Sequence, residues 1–284
     1  MSGVVPENGG EGVSLPREYS PGRSDFIRGC GADHDLSEAE TNLMNKNTCF
    51  FDLYGTLIDI RTDEKKPSLW RGLARCYSLG GAPYAPSELR ECYLALCAEE
   101  TAALAKKSGL GEDEVEIELR HVFRRLYAEK GVRVSAARLD DTAIAFRALS
   151  YTSTPRLMPG ARRTLDGLRQ RGARLFLLSN AQSCFTVPEL RLLGLNESFD
   201  GIFLSSDFGC RKPSAAFFRA ALDRVGAAPE DSVMVGNDPV ADMLGASRCG
   251  MATRYLHSVQ SPPRSAPLPE GCREITSLTD LLND

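Results

Sequence analysis

Five short apolar runs, most of them separated by helical patterns, constrain this chain more than any other feature. They lie at 48–52, 174–179, 201–205, 232–236 and 253–256. Each is too short for a helix and rich in aromatic, β-branched or leucine side chains, so each predicts a buried strand. Helical patterns alternate with the later runs. The segment 160–171 follows Pro159 and stops near Gly172, and 187–193 stops at Gly194. The segment 214–225 sets Phe218, Leu222 and Val225 on one face and stops at Gly226, and 239–249 begins after Asp238. Strand–helix alternation of this kind predicts an α/β fold with a doubly wound parallel sheet.

More than a hundred residues separate the first run from the second, far more than one crossover helix needs. Helical patterns fill the gap at 67–79, 86–108, 112–130 and 135–149, punctuated by Gly80-Gly81, Gly109 and Gly131. Val115, Leu119, Val122 and Leu126 recur at helical spacing and form an apolar stripe. The expectation is an all-helical domain, 67–150, inserted into a core made of 47–66 and 151–284. The charged stretch 61–66 would be its leading hinge and 150–159 its return. Residues 1–46 are rich in Gly, Pro, Ser and acids without a sustained period, and read as a disordered leader. Within it, 35–44 carries the signals of a short helix capped by Ser37. The proline-rich 261–269 reads as a surface loop before a last helix at 276–282.

Composition excludes several classes. The chain has 284 residues, 42% of them hydrophobic and 25% charged, and a net charge of -4. That charge offers no nucleic-acid footprint. No apolar run has the length of a membrane span, and the first twenty residues lack the apolar core of a secretory signal. The nine cysteines are odd in number and none forms a C-x-x-C pair. They read as free thiols of a reducing cytoplasm, with Cys92 and Cys97 as small core residues. Three histidines argue against a zinc site or a histidine-based triad. The expected setting is cytoplasmic and the expected partner a small molecule.

Four sites fall at the carboxyl ends of the predicted strands. They are Asp52, Ser179-Asn180, Lys212-Pro213, and the stretch Gly236-Asn237-Asp238-Pro239-Val240-Ala241-Asp242. Each has an ordinary reading: Asp52 caps a turn, Ser179-Asn180 caps the next helix, Lys212 is a solvated loop lysine, and Asp238 before Pro239 is an N-cap. In a doubly wound sheet, however, these ends converge on one crevice. Together they supply a carboxylate nucleophile, hydroxyl and amide donors, a fixed cation and further carboxylates. That set suits phosphoryl transfer. Asp52 would attack phosphorus, and Ser179 and Asn180 would donate to the phosphoryl oxygens. Lys212 and a Mg²⁺ ion on Asp52 and Asp238 would offset the negative charge. Arg211 reads as a surface residue.

These four motifs in this order, with a helical insert between the first and second, resemble the haloacid dehalogenase (HAD) superfamily. The resemblance covers about residues 47–284. It implies a Rossmann-like core, a helical cap, Asp52 as nucleophile, Ser179 as phosphate donor and Lys212 as the site lysine. It assigns the metal acids to Asp238 and Asp242, with the Tyr54 carbonyl as a further Mg²⁺ ligand. The chain departs from the family's phosphatases at Tyr54, where they commonly carry an aspartate that serves as general acid and base. A phenol with an ordinary pKa near 10 is a poor base at neutral pH. Asp-x-Tyr-Gly-Thr instead resembles the metal-independent 2-haloacid dehalogenases, for whose halide-binding arginine Arg61 and Arg71 are the candidates. The Gly-Asn-Asp stretch with Asp242 resembles the Mg²⁺-binding version. The leading expectation is a Mg²⁺-dependent phosphatase of a small phosphorylated metabolite, with Asp52, Lys212 and Tyr54 in catalytic positions. The alternatives are a dehalogenase, or a low-turnover protein that binds a phosphorylated ligand or partner.

Overall fold

A computed structural model describes residues 47–264 and 267–283. The expected leader and its 35–44 helix lie outside the described residues. Six parallel strands form one sheet in the order β5-β4-β1-β6-β7-β8. They are β1 (Thr48–Phe51), β4 (Arg174–Ser179), β5 (Gly201–Leu204), β6 (Ser232–Gly236), β7 (Ala252–Leu256) and β8 (Arg273–Ile275). A separate antiparallel pair joins β2 (Ile58–Asp59) to β3 (Arg156–Leu157). The chain runs from β1 outward through β4 and β5, then returns to the other side of β1 for β6 and β7. The switch of direction therefore falls at β1, where open α/β sheets place their ligands.

Side chains alternate across the sheet, as the pleat requires. Cys49, Phe51, Leu175, Leu177, Val233 and Val235 belong to one apolar core, with Leu165 and Leu168 of α5 (Ala161–Gln170) and Leu190 of α6 (Ser183–Leu192). Phe50, Phe176, Leu178 and Met234 belong to the other, with Phe217, Phe218 and Leu222 of α8 (Ala215–Val225). Helices thus cover both faces, and the α/β doubly wound fold is observed.

The gap between β1 and β4 holds α1 (Pro67–Leu79), α2 (Pro86–Ser108), α3 (Leu119–Glu129) and α4 (Ala136–Ser150). Pro67 and Pro86 each open a helix, and Ser135 Oγ caps α4 by accepting from the Arg138 N–H. The four helices share a third apolar cluster built on Trp70, Tyr77, Tyr93, Phe123 and Phe146. Phe185 of α6 joins that cluster, so the insert packs directly on the core.

Several elements differ from expectation. Helix α3 starts at Leu119 rather than residue 112, because Val115 is extended and bridged to Cys210. Helix α6 starts four residues before 187 and takes Pro188 inside it, since burial of Phe185 against the insert outweighs the proline's preference for a first turn. Strand β8 is an edge strand in which only Ile275 is buried, so it leaves no apolar run to read. Residue 205 begins the short α7 (Ser205–Phe208) rather than ending β5. The 239–249 helix is a π-helical turn, Pro239–Leu244, followed by α9 (Gly245–Arg248). The last helix is a 3-10 turn, Leu278–Leu282. The eight described cysteines are free thiols. Among the described residues, no helix is long and apolar enough to cross a membrane.

Candidate active site

Asp52 follows directly on β1, with its backbone N–H donated to the Val235 carbonyl of β6. The chain then turns sharply, as the Leu57 and Ile58 N–H groups both donate to the Leu53 carbonyl. Gly55 makes that turn with φ of +83°, and a Cβ there would stand 2.4 Å from Asn237 Nδ2. No other residue type has both the backbone freedom and the room. The turn brings Thr56 back under Asp52, where its Oγ donates to Asp52 Oδ2 at 3.1 Å.

Lys212 reaches the same point from the loop after α7 and is 2% exposed. Its Nζ donates to Asp52 Oδ1 at 2.8 Å, to Asp242 Oδ1 at 2.6 Å and to the Leu178 carbonyl at 2.7 Å. All three ammonium donors are therefore used. Burial works against the charged amine, but Asp242 and then Asp52 outweigh it and hold its pKa above the usual lysine value. Burial pushes the Asp242 carboxyl above the usual carboxylate range, against the pull of Lys212. Ser179 Oγ donates to Asp52 Oδ1 at 3.3 Å. Asn180 does something different from its expected role: its Nδ2 donates to the Lys212 carbonyl and its Oδ1 accepts the Lys212 N–H, both at 2.8 Å. Its amide frames the lysine backbone.

Asp238 Oδ1 accepts from the Val240 and Ala241 N–H groups, so it is the N-cap, and its Oδ2 takes no part in that cap. Asp242 is 1% exposed, with Oδ1 on Lys212 and Oδ2 on the Asp238 N–H. Gly236 makes this possible, since a Cβ there would lie 2.2 Å from Asp242 Oδ2. Both carboxylates beside Lys212 are engaged on both oxygens, Asp52 by Lys212, Ser179 and Thr56 and Asp242 by Lys212 and the Asp238 N–H, while the Asp238 cap uses Oδ1 alone. Among the described residues, no three His, Cys, Asp or Glu side chains gather into a self-sufficient metal site.

The Tyr54 side chain turns toward the insert. Its hydroxyl lies 2.8 Å from Thr186 Oγ and donates to Glu189 Oε2 at 2.5 Å. Glu189, on α6, is 3% exposed. Its Oε1 accepts from Arg147 Nε at 2.7 Å and from the Tyr151 hydroxyl at 2.6 Å. Burial first, and then the Glu189 charge, raise the Tyr54 pKa well above its ordinary value, so the phenol stays protonated at neutral pH. Tyr54, Asn180, Arg147, Arg211, Glu64 and Glu116 are among the residues that line a cavity of about 460 Å³ between core and insert. Arg211 keeps a partly exposed side chain, in line with its surface reading, while also lining this cavity and pairing with Glu116 at 3.7 Å. Arg61 and Arg71 are exposed and do not line this cavity.

The hydrolase family described as haloacid dehalogenase-like hydrolase matches residues 46–250, well over half of the chain. The chain belongs to the HAD-like hydrolases. Among its relatives, the glyceraldehyde 3-phosphate phosphatase of Methanothermobacter thermautotrophicus is 32% identical over 126 residues, 44% of this chain and 56% of that one. The phosphoserine phosphatase of Thermus thermophilus is 34% identical over 113 residues, 39% of this chain and 45% of that one. The chain spans about half the length of these curated relatives. The crystal structure of the 2-haloacid dehalogenase from Pseudomonas syringae pv. tomato aligns with a TM-score of 0.56, covering 84% of this chain and 97% of that one at 22% identity. At that identity the likeness bears on the fold.

In this HAD-like hydrolase, the side chains of Asp52, Ser179, Lys212 and Asp242 meet in one hydrogen-bonded group, and Asp238 joins it through its backbone N–H while its carboxylate caps the following turn. Sequence reasoning missed Glu189, Arg147 and Tyr151. A signal for Glu189 was present, because an acid flanked by Val187 and Leu190 within an apolar helix face must find donors if it is buried. Nothing in the sequence said that α4 would supply one.

Proposed function

We propose that this protein is a phosphatase of a small phosphorylated metabolite, with Asp52 as the covalent nucleophile. The observation that carries this reading is the three-way contact of Lys212 with Asp52, Asp242 and the Leu178 carbonyl. It sets a carboxylate beside a buried cation at the carboxyl end of the central strand. The named relatives that act on phosphate esters support the same class.

Asp52 attacks phosphorus as the ester P–O bond breaks, giving an acyl phosphate and an alcohol that takes its proton from solvent. Water then cleaves the acyl phosphate and restores the carboxylate. Oδ2, with a single side-chain donor, is the freer oxygen for the attack. Ser179 and Lys212 orient the other oxygen, Asn180 positions Lys212, and Asp242 keeps the lysine charged. The Tyr54 phenol, raised in pKa and held by Glu189, does not serve as base. The helical insert acts as the cap and keeps bulk water from the cavity.

The donors fit Mg²⁺, an ion commonly held by one or two carboxylates with phosphate and water oxygens completing its shell. Asp52, Asp238 Oδ2 and the Tyr54 carbonyl would hold it. When bound, it would offset the negative charge of the phosphoryl group. Phosphate release from a phosphomonoester panel, with and without EDTA, tests the proposal. Release that needs Mg²⁺ and is lost in Asp52→Asn is expected, and no release above that variant would sink the idea. The Tyr54 motif favours a second reading, a 2-haloacid dehalogenase. Halide release that survives EDTA would favour it over the first.

A further inference from the structure

Most polar groups around the cavity that Tyr54 and Asn180 line are already engaged by the protein. Both ends of the Asn180 amide are on the Lys212 backbone. Gln182 holds the start of α3 through the Leu119 N–H and the Ile117 carbonyl, and donates to Glu116. Glu116 also accepts from Ser205 Oγ and pairs with Arg211. The Tyr54 hydroxyl is shared by Thr186 and Glu189.

Arg147 is held by Glu189 through Nε and also meets the Tyr151 hydroxyl, yet its side chain still borders the cavity. Its side chain is 14% exposed, and its guanidinium carbon lies 5.2 Å from the Tyr54 ring centre, 5.5 Å from Phe185 and 5.7 Å from Tyr151. Apolar packing would join two helices as well as a buried guanidinium–carboxylate pair, and often better. What the pair adds is a planar guanidinium fixed before a ligand arrives, in a cavity also lined by Tyr54 and Asn180, the chain neighbours of Asp52 and Ser179. A guanidinium fork matches carboxylate or phosphate oxygens.

We propose that Arg147 is a specificity-determining residue that binds a second anionic group, a carboxylate or a second phosphate, on the ester whose phosphoryl group Asp52 takes; this rests on the phosphatase reading above. Glu189, Tyr54 and Tyr151 are the residues that position it. Arg211 shares the cavity, but its side chain is 43% exposed and only loosely paired with Glu116, so it lacks the fixed position that Glu189 gives Arg147. Glu64 also lines the cavity and lies near enough to Arg147 to feel its charge. Glu64 is the acid that an arriving anion would meet.

The test reads binding and turnover separately on the full chain. Calorimetry on the Asp52→Asn protein compares carboxypropyl phosphate, a propanediol bisphosphate and butyl phosphate. At least one of the first two should bind about tenfold tighter than butyl phosphate, and which of them does so tells carboxylate from phosphate. The advantage should vanish when Arg147→Gln is added, shrink with Arg147→Lys, which keeps the charge without the fork, and grow with Glu64→Gln. Equal binding of all three compounds, or an advantage that survives Arg147→Gln, overturns the proposal. If Arg147→Gln does not fold, the other two variants decide, and an advantage that moves in neither of them overturns it equally. Phosphate release by the unaltered protein is scored apart: no release from any of the three, with the binding advantage intact, counts against the phosphatase reading and leaves the Arg147 site standing.

Discussion

Two buried charges organise this site in opposite senses. Lys212 is a cation shared by two carboxylates and a carbonyl, and Glu189 is an anion shared by a guanidinium and two phenols. The first group is framed by backbone at the carboxyl ends of β1, β4 and β6. The second spans α6 of the core and the end of α4 in the insert. In the first, the groups held in place are the ones that the proposed mechanism uses. In the second, the held groups shape the wall opposite. Changes in either group should therefore cost stability, but changes in the first should also strike the chemical step and changes in the second the grip on substrate.

The largest break should come from Lys212→Met. It leaves Asp52 and Asp242 buried together without a cation, an error of about 3–5 kcal/mol in buried ion pairs. Thermal unfolding should fall by roughly 10 °C, and the rate of phosphate release should collapse with it. Calorimetric melting and a single-turnover assay check the two effects.

Glu189→Leu comes next, costing about 3 kcal/mol by leaving Arg147 uncompensated. The comparison is sharpened by Arg147→Met in the same chain: the double variant should melt above Glu189→Leu alone, because removing both charges removes the uncompensated one. No such recovery would mean that the pair is not the unit described.

Gly236→Ala forces a methyl group to within 2.2 Å of Asp242 Oδ2 unless the carboxylate moves. A loss of about 1–3 kcal/mol, typical of overpacking, is expected, together with a drop in turnover, since displaced Asp242 releases Lys212. Tyr54→Phe is the mildest. It deletes one donor to Glu189 for about 1–2 kcal/mol and should change KM more than kcat. A kcat loss matching that of Lys212→Met would erase the distinction between the two groups.

The same contrast explains what could be read from the sequence. Asp52, Ser179 and Asp238 sit where apolar strands stop, and a strand's end is marked locally by its own residues. Lys212 and Asp242 follow at short range. The Glu189 group has no such local mark. Arg147 and Tyr151 meet Glu189 across about forty residues of chain, and only the packing of four helices fixes that meeting. Boundaries failed for a similar reason. Val115 fits the helical stripe of Leu119 and Val122 in spacing, yet its partner is Cys210, far along the chain. Asn180 has an amide suited to phosphate, and the sequence could not show that the Lys212 backbone would claim it.

The bridge between Val115 and Cys210 bears on modularity. On one side, the Glu116 N–H donates to the Gly209 carbonyl and the Arg211 N–H to the Glu114 carbonyl; on the other, Asn180 grips Lys212. The short loop that delivers the lysine is thus hemmed on one edge by the insert and on the other by the core. A helical insert transplanted from a relative would have to bring an extended edge of the same length at this point. Exchanging inserts to exchange substrates would then fail at the lysine loop before any cavity residue was tested.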